Sequence, residues 1–297
     1  MKVDPHDVFK GKEEITCSYI PKFPAAAERE YLHLVNGYMR ILKESLEEYL
    51  PELRGILREE VHTDSKETEK ERKRQRTENF ARMSAYMEEL FRRIRRTMEQ
   101  KMDLYDIARR MRAIANKTRL LTVKEWKKAI GRALGIDIFE DYYLGEFFRR
   151  ELDVWITQNT DLIKSIPYDA LGDMKQVIYE GYVAGRSVTD ISWDIRKRYQ
   201  VNRSKARLLA RDQMGKLNAE ITEAQQRDAG IRKYTWRTSK DSRVRKDHKW
   251  LEGRTFSWDD PPVVDTRTGR RGHPGQDYQC RCIAVAVLER DNLHLPV

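Results

Sequence analysis

From Ser65 to Asn116 the chain contains no proline and no glycine. Nothing in that run breaks a helix, so it limits the folds open to the polypeptide. Phe80, Met83, Met87, Leu90, Ile94, Met98, Met102, Tyr105, Ala108 and Met111 recur mostly at three- and four-residue steps, forming one narrow apolar stripe. A single helix of ~50 residues would extend ~75 Å, longer than a compact small domain. It would form a coiled-coil-like arm or pack along a large partner. The alternative is two shorter helices folded back in a bundle, broken near Gln100 to Asp103. The stripe is too narrow to close a core alone and too long to stay exposed on a soluble monomer. The region is therefore expected to dock, on another protein, on a second copy, or on the helices after Thr122.

Composition fits long solvated helix faces. Charged residues make up 36% of the 297 and apolar residues 39%, with a formal net charge of +10 from 58 basic and 48 acidic side chains. These values exclude collagen-like, low-complexity and fully disordered chains. So much acid among the bases implies mixed faces carrying basic patches rather than a nucleic-acid-binding tail. Three cysteines exclude a disulfide framework and fit a reducing compartment. The first twenty residues lack a continuous apolar core, so no signal peptide is expected. No stretch approaches the ~18 apolar residues of a membrane span. The chain reads as soluble and made in a cytoplasm.

Residues 1–23, with Pro5 and Pro21, read as an extended arm that lies on something or stays mobile. A helix is expected from Ala25 to about Glu60, kinked or interrupted at Pro51. Thr122-Val-Lys-Glu125 has the pattern of a capping box opening a short helix that Gly135 ends. Further helices are expected from about Glu140 to Ile163, and from Pro167 to Gly185. Another runs from a Ser187–Asp190 cap to Tyr199, and a last one from Ser204 to Gly230. Beyond Gly230 the texture changes. Ile231–Thr238 and Thr255–Trp258 read as strands, Arg243–Leu251 as a short helix, Pro261–Gln279 as a loop, and Arg281–Leu288 as a terminal strand. The class is α+β: an elongated, mainly helical N-terminal body followed by a compact α+β C-terminal module. The corresponding divisions are 1–23 (arm), 24–121 (long-helix docking region), 122–230 (helical domain) and 231–297 (C-terminal module).

That last module concentrates the rare chemistry. Side chains two apart on a strand share a face, so Cys280 and Cys282 point the same way and Arg281 the other. Two thiolates, with His273 in the loop before them and His248 on the preceding helix, supply four ligands for a tetrahedral zinc ion. The same residues also read as two small buried cysteines and two histidines anchoring loops through hydrogen bonds. A third reading is a DNA-processing enzyme, a metal-dependent nuclease using the His/Cys cluster. No nucleophile, orienting acid and oxyanion site stand at recognisable spacing, so no catalytic residue is assigned and an enzyme is not expected. Asp241 is expected to accept backbone hydrogen bonds within its own turn and to cap the helix holding His248.

Arg72, Lys73, Arg74 and Arg76, then Arg92, Arg93, Arg95 and Arg96, form basic runs able to contact DNA phosphates or an acidic protein. Glu67, Glu69, Glu71, Glu78, Glu88 and Glu89 are interleaved, many at i,i+4 spacing, which equally describes a solvated helix face. Trp126, Trp155 and Trp193 occupy apolar helical positions and are expected in the core.

The order of residues from Tyr234 to Pro262, then His273 to Cys282, resembles the C-terminal domain of the phage Mu F-like minor head proteins, also called the phage head morphogenesis domain. The matching positions are Trp236, Asp241, Arg243, Arg245, His248, Leu251, Gly253, Phe256, Pro261, His273, Pro274, Cys280, Arg281 and Cys282. The segment from Gln158 to Pro167, with Gly181, Gly185, Ala210-Arg-Asp212 and Asn218, resembles the lead-in to that domain. The resemblance spans about residues 150–288. It implies a minor capsid protein of a tailed bacteriophage, made in the host cytoplasm and carried in the virion interior near the portal vertex. Its implied partners are the portal protein, the major capsid or scaffold protein, and packaged double-stranded DNA, with no membrane during assembly. Within it, Trp236, Asp241, Arg243, Arg245, Gly253, Pro274 and Arg281 are the framework positions, and one structural zinc is the cofactor expected.

Overall fold

A computed structural model describes residues 8–59, 69–138, 146–184 and 186–294. Its helices are α1 (Ala25–Glu59), α2 (Glu69–Asp103), α3 (Ile107–Leu134), α4 (Glu146–Val183), α5 (Val188–Asp228) and α6 (Lys246–Leu251). The strands are β1 (Glu14–Thr16), β2 (Lys233–Arg237), β3 (Thr255–Ser257), β4 (Val263–Asp265), β5 (Arg270–Arg271) and β6 (Ile283–Glu289). Long helices with a four-stranded and a two-stranded antiparallel sheet make this an α+β chain. It divides into two compact units, the first from Met1–Leu32, Ala108–Asn159 and Leu208–Val297, the second from His33–Ile107 and Thr160–Arg207.

The long proline-free run resolves into two helices, α2 in the second unit and α3, from Ala108 on, in the first. α2 stops at Asp103, the Tyr105 N–H donates to the Met102 carbonyl at 2.9 Å, and α3 begins at Ile107. Met83, Met87, Leu90, Ile94 and Met98 are all at most 1% exposed. The stripe read as a docking surface is thus already buried in its own chain, which corrects the docking-arm expectation. Pro51 does not interrupt α1, and Pro167 sits inside α4 rather than starting it. Ile163, Ala170, Met174 and Ile178 are buried on both sides of Pro167. Burial of a shared apolar face outweighs the one lost N–H. Ser187 caps α5 as expected, its hydroxyl accepting the Asp190 N–H at 3.1 Å. No second helix starts at Ser204, whose hydroxyl donates back to the Gln200 carbonyl at 3.2 Å.

The first unit is built around the sheet, in the order β1-β6-β2-β3 with every pairing antiparallel. β6 (IAVAVLE) has a continuous apolar run because it is central and five of its seven residues are buried. Val285, Ala286 and Leu288 pack with Phe9, Cys17, Trp126, Ile130 and Leu134, while Ala284 packs with Tyr234, Trp236, Leu251 and Trp258. Residues 14–16 are an edge strand on β6, so the N-terminal arm lies on the C-terminal strand. Glu125 on α3 helps to fix it, accepting from the Tyr19 hydroxyl and from the Lys22 N–H at 3.0 Å.

Thr122 does not open a helix. It lies inside α3, its hydroxyl shared between the Thr118 carbonyl and Asn218 Oδ1, each at 2.9 Å. Gly230 ends α5 as expected: φ is +75° and a Cβ would fall 1.8 Å from the Asn292 carbonyl oxygen, so only glycine fits. Trp126 and Trp155 are buried, but Trp193 is 57% exposed with the Lys197 ammonium over its ring.

Candidate metal centre

His248 is placed by α6, whose short sequence KDHKWL turns His248 and Leu251 inward and leaves Trp250 in solvent. The ring packs edge-on against Trp236, with centroids 5.4 Å apart. Cys280 and Cys282 lie in the extended segment just before β6, not within a strand, yet their alternation still aims both thiols inward. One face of α5 holds that segment from behind. Asp212 accepts the Gln279 N–H at 2.8 Å, Glu223 accepts from the Gln276 amide at 3.2 Å, and Gln226 donates to the Ala284 carbonyl at 3.1 Å. Positions 212, 215, 219, 223 and 226 recur at three- and four-residue steps, so one helical stripe reads the whole loop. The approach is close enough to require Gly275 (φ +90°), whose Cβ would come 2.8 Å from that of Ala219.

The outcome is a group of three donors. His248 Nδ1, Cys280 Sγ and Cys282 Sγ all lie within 4.8 Å of one another, and the three residues are at most 6% exposed. Nδ1 stands 3.5 Å from Cys280 Sγ and 3.6 Å from Cys282 Sγ. Zn–S bonds of about 2.3 Å and Zn–N bonds of about 2.1 Å at tetrahedral angles place sulfur and nitrogen about 3.6 Å apart. The donor set therefore fits zinc in both chemistry and spacing. A hydrogen bond with Cys282, supported by His248, holds the Cys280 thiol well below its ordinary value against the opposing effect of burial. Cys282 is pushed up by that same hydrogen bond and by burial.

Behind the imidazole stands Asp277, whose Oδ2 is 3.3 Å from His248 Nε2. This carboxylate is 4% exposed and also receives Arg245 at 3.0 Å and Arg270 at 2.7 Å. Burial raises its pKa, but these partners outweigh burial and hold it below the ordinary carboxylate value. A carboxylate on the far nitrogen of a histidine fixes the ring and leaves the near nitrogen free to bind metal. Asp277 escaped the sequence reading. Its only signal was an acidic residue in a Pro-Gly loop just before the two cysteines.

His273 is not part of the group, which corrects the four-ligand expectation. Its Nδ1 is hydrogen-bonded to the Tyr234 hydroxyl at 2.9 Å, and its ring packs on Trp258 at 4.8 Å. Burial lowers its pKa. Asp241 accepts the Arg243 N–H at 2.9 Å and pairs with Arg281 and Arg243, as a turn residue should. It does not cap α6, whose N-cap is Arg245 without a side-chain hydrogen bond. Gly253 (φ +75°) returns its N–H to the Trp236 carbonyl, and Pro274 is buried beside Gly275.

The basic runs stand apart from this centre. Arg92 pairs with Glu89, Arg93 with Glu52 at 2.7 Å, and Arg95 with Glu99 at 3.1 Å, while Arg96 lies exposed beside them on α2. Arg72, Lys73, Arg74 and Arg76 lie on α2, and their side chains fall outside those described. Gly185 falls outside as well.

Against known families, residues 173–285 match the one described as phage Mu protein F like protein. Over those residues the chain is similar to the Mu F-like family. The match takes in the end of α4, all of α5 and the module through the first three residues of β6, and so includes His248, Cys280, Cys282 and Asp277. A protein of Haemophilus influenzae, described as uncharacterized, is 36% identical over 133 residues. That alignment covers 45% of this chain and 28% of the relative, so the chain spans under a third of the length of the protein it matches. No solved structure matches. The Mu F-like family points to phage head morphogenesis and to the virion. Among the described residues no helix is long and apolar enough to cross a membrane, and Cys17, Cys280 and Cys282 are all free thiols.

Proposed function

We propose that this chain is a structural protein of a tailed-phage head, and that zinc bound by His248, Cys280 and Cys282 clamps its Mu F-like module. The observation that carries the metal role is the convergence of three soft donors, each at least nine-tenths buried, from a helix and from the segment leading into β6. Three protein ligands leave a fourth position to be filled, and the burial of all three donors away from solvent is what favours a structural over a catalytic role. Zinc would supply a cross-link between α6 and the segment leading into β6; Asp277 orients His248, and Trp236 shields it. The Mu F-like family supports a place in the capsid interior near the portal vertex, with the portal protein as first partner and the major capsid or scaffold protein and packaged DNA as further ones. In this role the chain turns over no substrate.

Metal analysis and melting of the purified protein test the clamp. The expected result is about one zinc per chain, lost with a fall in melting temperature in Cys280→Ser and on adding chelator. Protein that holds no metal and melts alike with and without chelator would refute it. Co-sedimentation with portal rings tests the partner. Nuclease activity that appears with divalent ions and disappears in His248→Ala would replace the structural reading with an enzymatic one.

A further inference from the structure

The second unit carries a feature that the Mu F-like match and the metal centre leave unexplained. α1, α4 and α5 enclose a cleft of about 500 Å³ within it. Its floor is apolar: Leu46, Leu50 and Leu53 on α1, Met174 and Ile178 on α4, and Ile195 on α5. Leu53, Met174 and Ile178 are buried, while Leu46, Leu50 and Ile195 remain half-buried, so the floor is open to a ligand. Leu46, Leu50 and Leu53 follow i, i+4, i+7 spacing, a ridge about 10 Å long.

The mouth is positive. Lys43, Arg54, Arg196 and Arg203 line it against the single carboxylate of Glu47. Glu47 is already engaged by Lys43 at 3.4 Å. Among the described residues Arg54, Arg196 and Arg203 make no ion pair. Tyr199 stands between floor and rim, its hydroxyl tied to the Met39 carbonyl at 3.2 Å, so the wall is fixed.

We infer that this cleft receives an acidic amphipathic helix from another protein. An apolar groove between helices takes the apolar face of a helix, with anchors spaced i, i+3/i+4 and i+7. Glutamates or aspartates flanking those anchors would meet Arg54, Arg196 and Arg203. A second copy of this chain is the poorer occupant, because a net charge of +10 sets copies against each other across a basic rim.

The test uses the full chain and three probes. They are a fluorescent amphipathic peptide of about 18 residues with leucine anchors and glutamate flanks, the same peptide with lysine flanks, and phosphatidylglycerol-containing vesicles. The acidic peptide should bind saturably, the lysine peptide at least roughly tenfold more weakly, and salt should weaken binding. Arg196→Glu with Arg203→Glu, both exposed, should cost roughly tenfold in affinity while leaving the circular dichroism and melting unchanged. Ile195→Asp gives a second variant aimed at the floor and should abolish binding. The inference fails if the acidic peptide does not bind, if both peptides bind equally, or if the variants bind like the parent. Vesicle binding without peptide binding, or a dimer that Ile195→Asp dissolves, would assign the cleft to lipid or to self-association instead.

Discussion

The second unit and the Mu F-like module are held together differently. The helical unit buries an apolar interior in which methionine is prominent, with Met83, Met87 and Met98 fully enclosed, and keeps its ion pairs on the outside. The module buries its polar groups: His248, His273 and Asp277 are each at most 7% exposed. His273 is bonded to Tyr234, Asp277 is paired with Arg245 and Arg270, and His248 Nε2 stands 3.3 Å from Asp277 but without a hydrogen-bond partner among the described residues. Methionine fills irregular space and tolerates exchange. A buried polar network holds only when every member is satisfied. The helical unit should therefore absorb substitutions that the module cannot.

The sharpest contrast is expected from Trp236→Ala. Trp236 is fully buried against His248 and Phe256, and its loss should cost about 3–5 kcal/mol. Hydrogen exchange resolved along the chain would show the loss in the sheet and not in α2. Asp277→Asn should follow at about 1–3 kcal/mol, because it uncharges a buried acceptor while Arg245 and Arg270 are each partly exposed and can turn to water. Met87→Leu, in an equally buried place, should cost less than about 1.5 kcal/mol. If urea unfolding finds Met87→Leu as damaging as Asp277→Asn, the comparison collapses.

Two smaller effects sharpen it. Glu125 is held at about 2: burial pushes it up, but hydrogen bonds from Tyr19, Lys128 and the Lys22 N–H outweigh burial. A depressed carboxylate stabilises fully above its unfolded value of 4.5, and that contribution is lost as pH falls toward 2. The urea midpoint of the parent should therefore exceed that of Glu125→Gln by a constant margin above pH 5, and the margin should shrink below pH 4.5. Smallest of all is Arg95→Gln. Its pair with Glu99 lies in solvent, and its removal should leave melting within error of the parent at physiological salt.

How legible each region was in the sequence follows from the same contrast. Three- and four-residue periodicity located the helices and the stripe from Phe80 to Met111, because a helix writes its buried face locally. It could not say what lies against that helix, since Tyr168, Lys175 and Tyr179, which contact α2, come from far along the chain. Proline and capping signals misplaced the joints at Thr122, Pro167 and Ser204, where tertiary burial overrides local preference. In the module the thiols and His248 were readable from strand alternation and residue type. His273 was misassigned because nothing local reveals that the Tyr234 hydroxyl takes its Nδ1 and that its ring packs on Trp258. Asp277 was missed because its partners, Arg245, Arg270 and His248, meet only after the loop folds over α6.

The edge strand carries a consequence in time. Ile15 pairs with Leu288, so the sheet joins segments ~270 residues apart, and closing so long a loop is entropically unfavourable and slow. At ~5–20 residues per second a ribosome needs about 14–55 seconds between making the two partners. Throughout that interval the helices have their local contacts in hand, while residues 14–16 wait without a strand to join. The edge should therefore be the last part of the sheet to close. In pulsed hydrogen exchange during refolding, the Cys17 amide, which donates to the Ala286 carbonyl at 3.0 Å, should gain protection after the amides of β2.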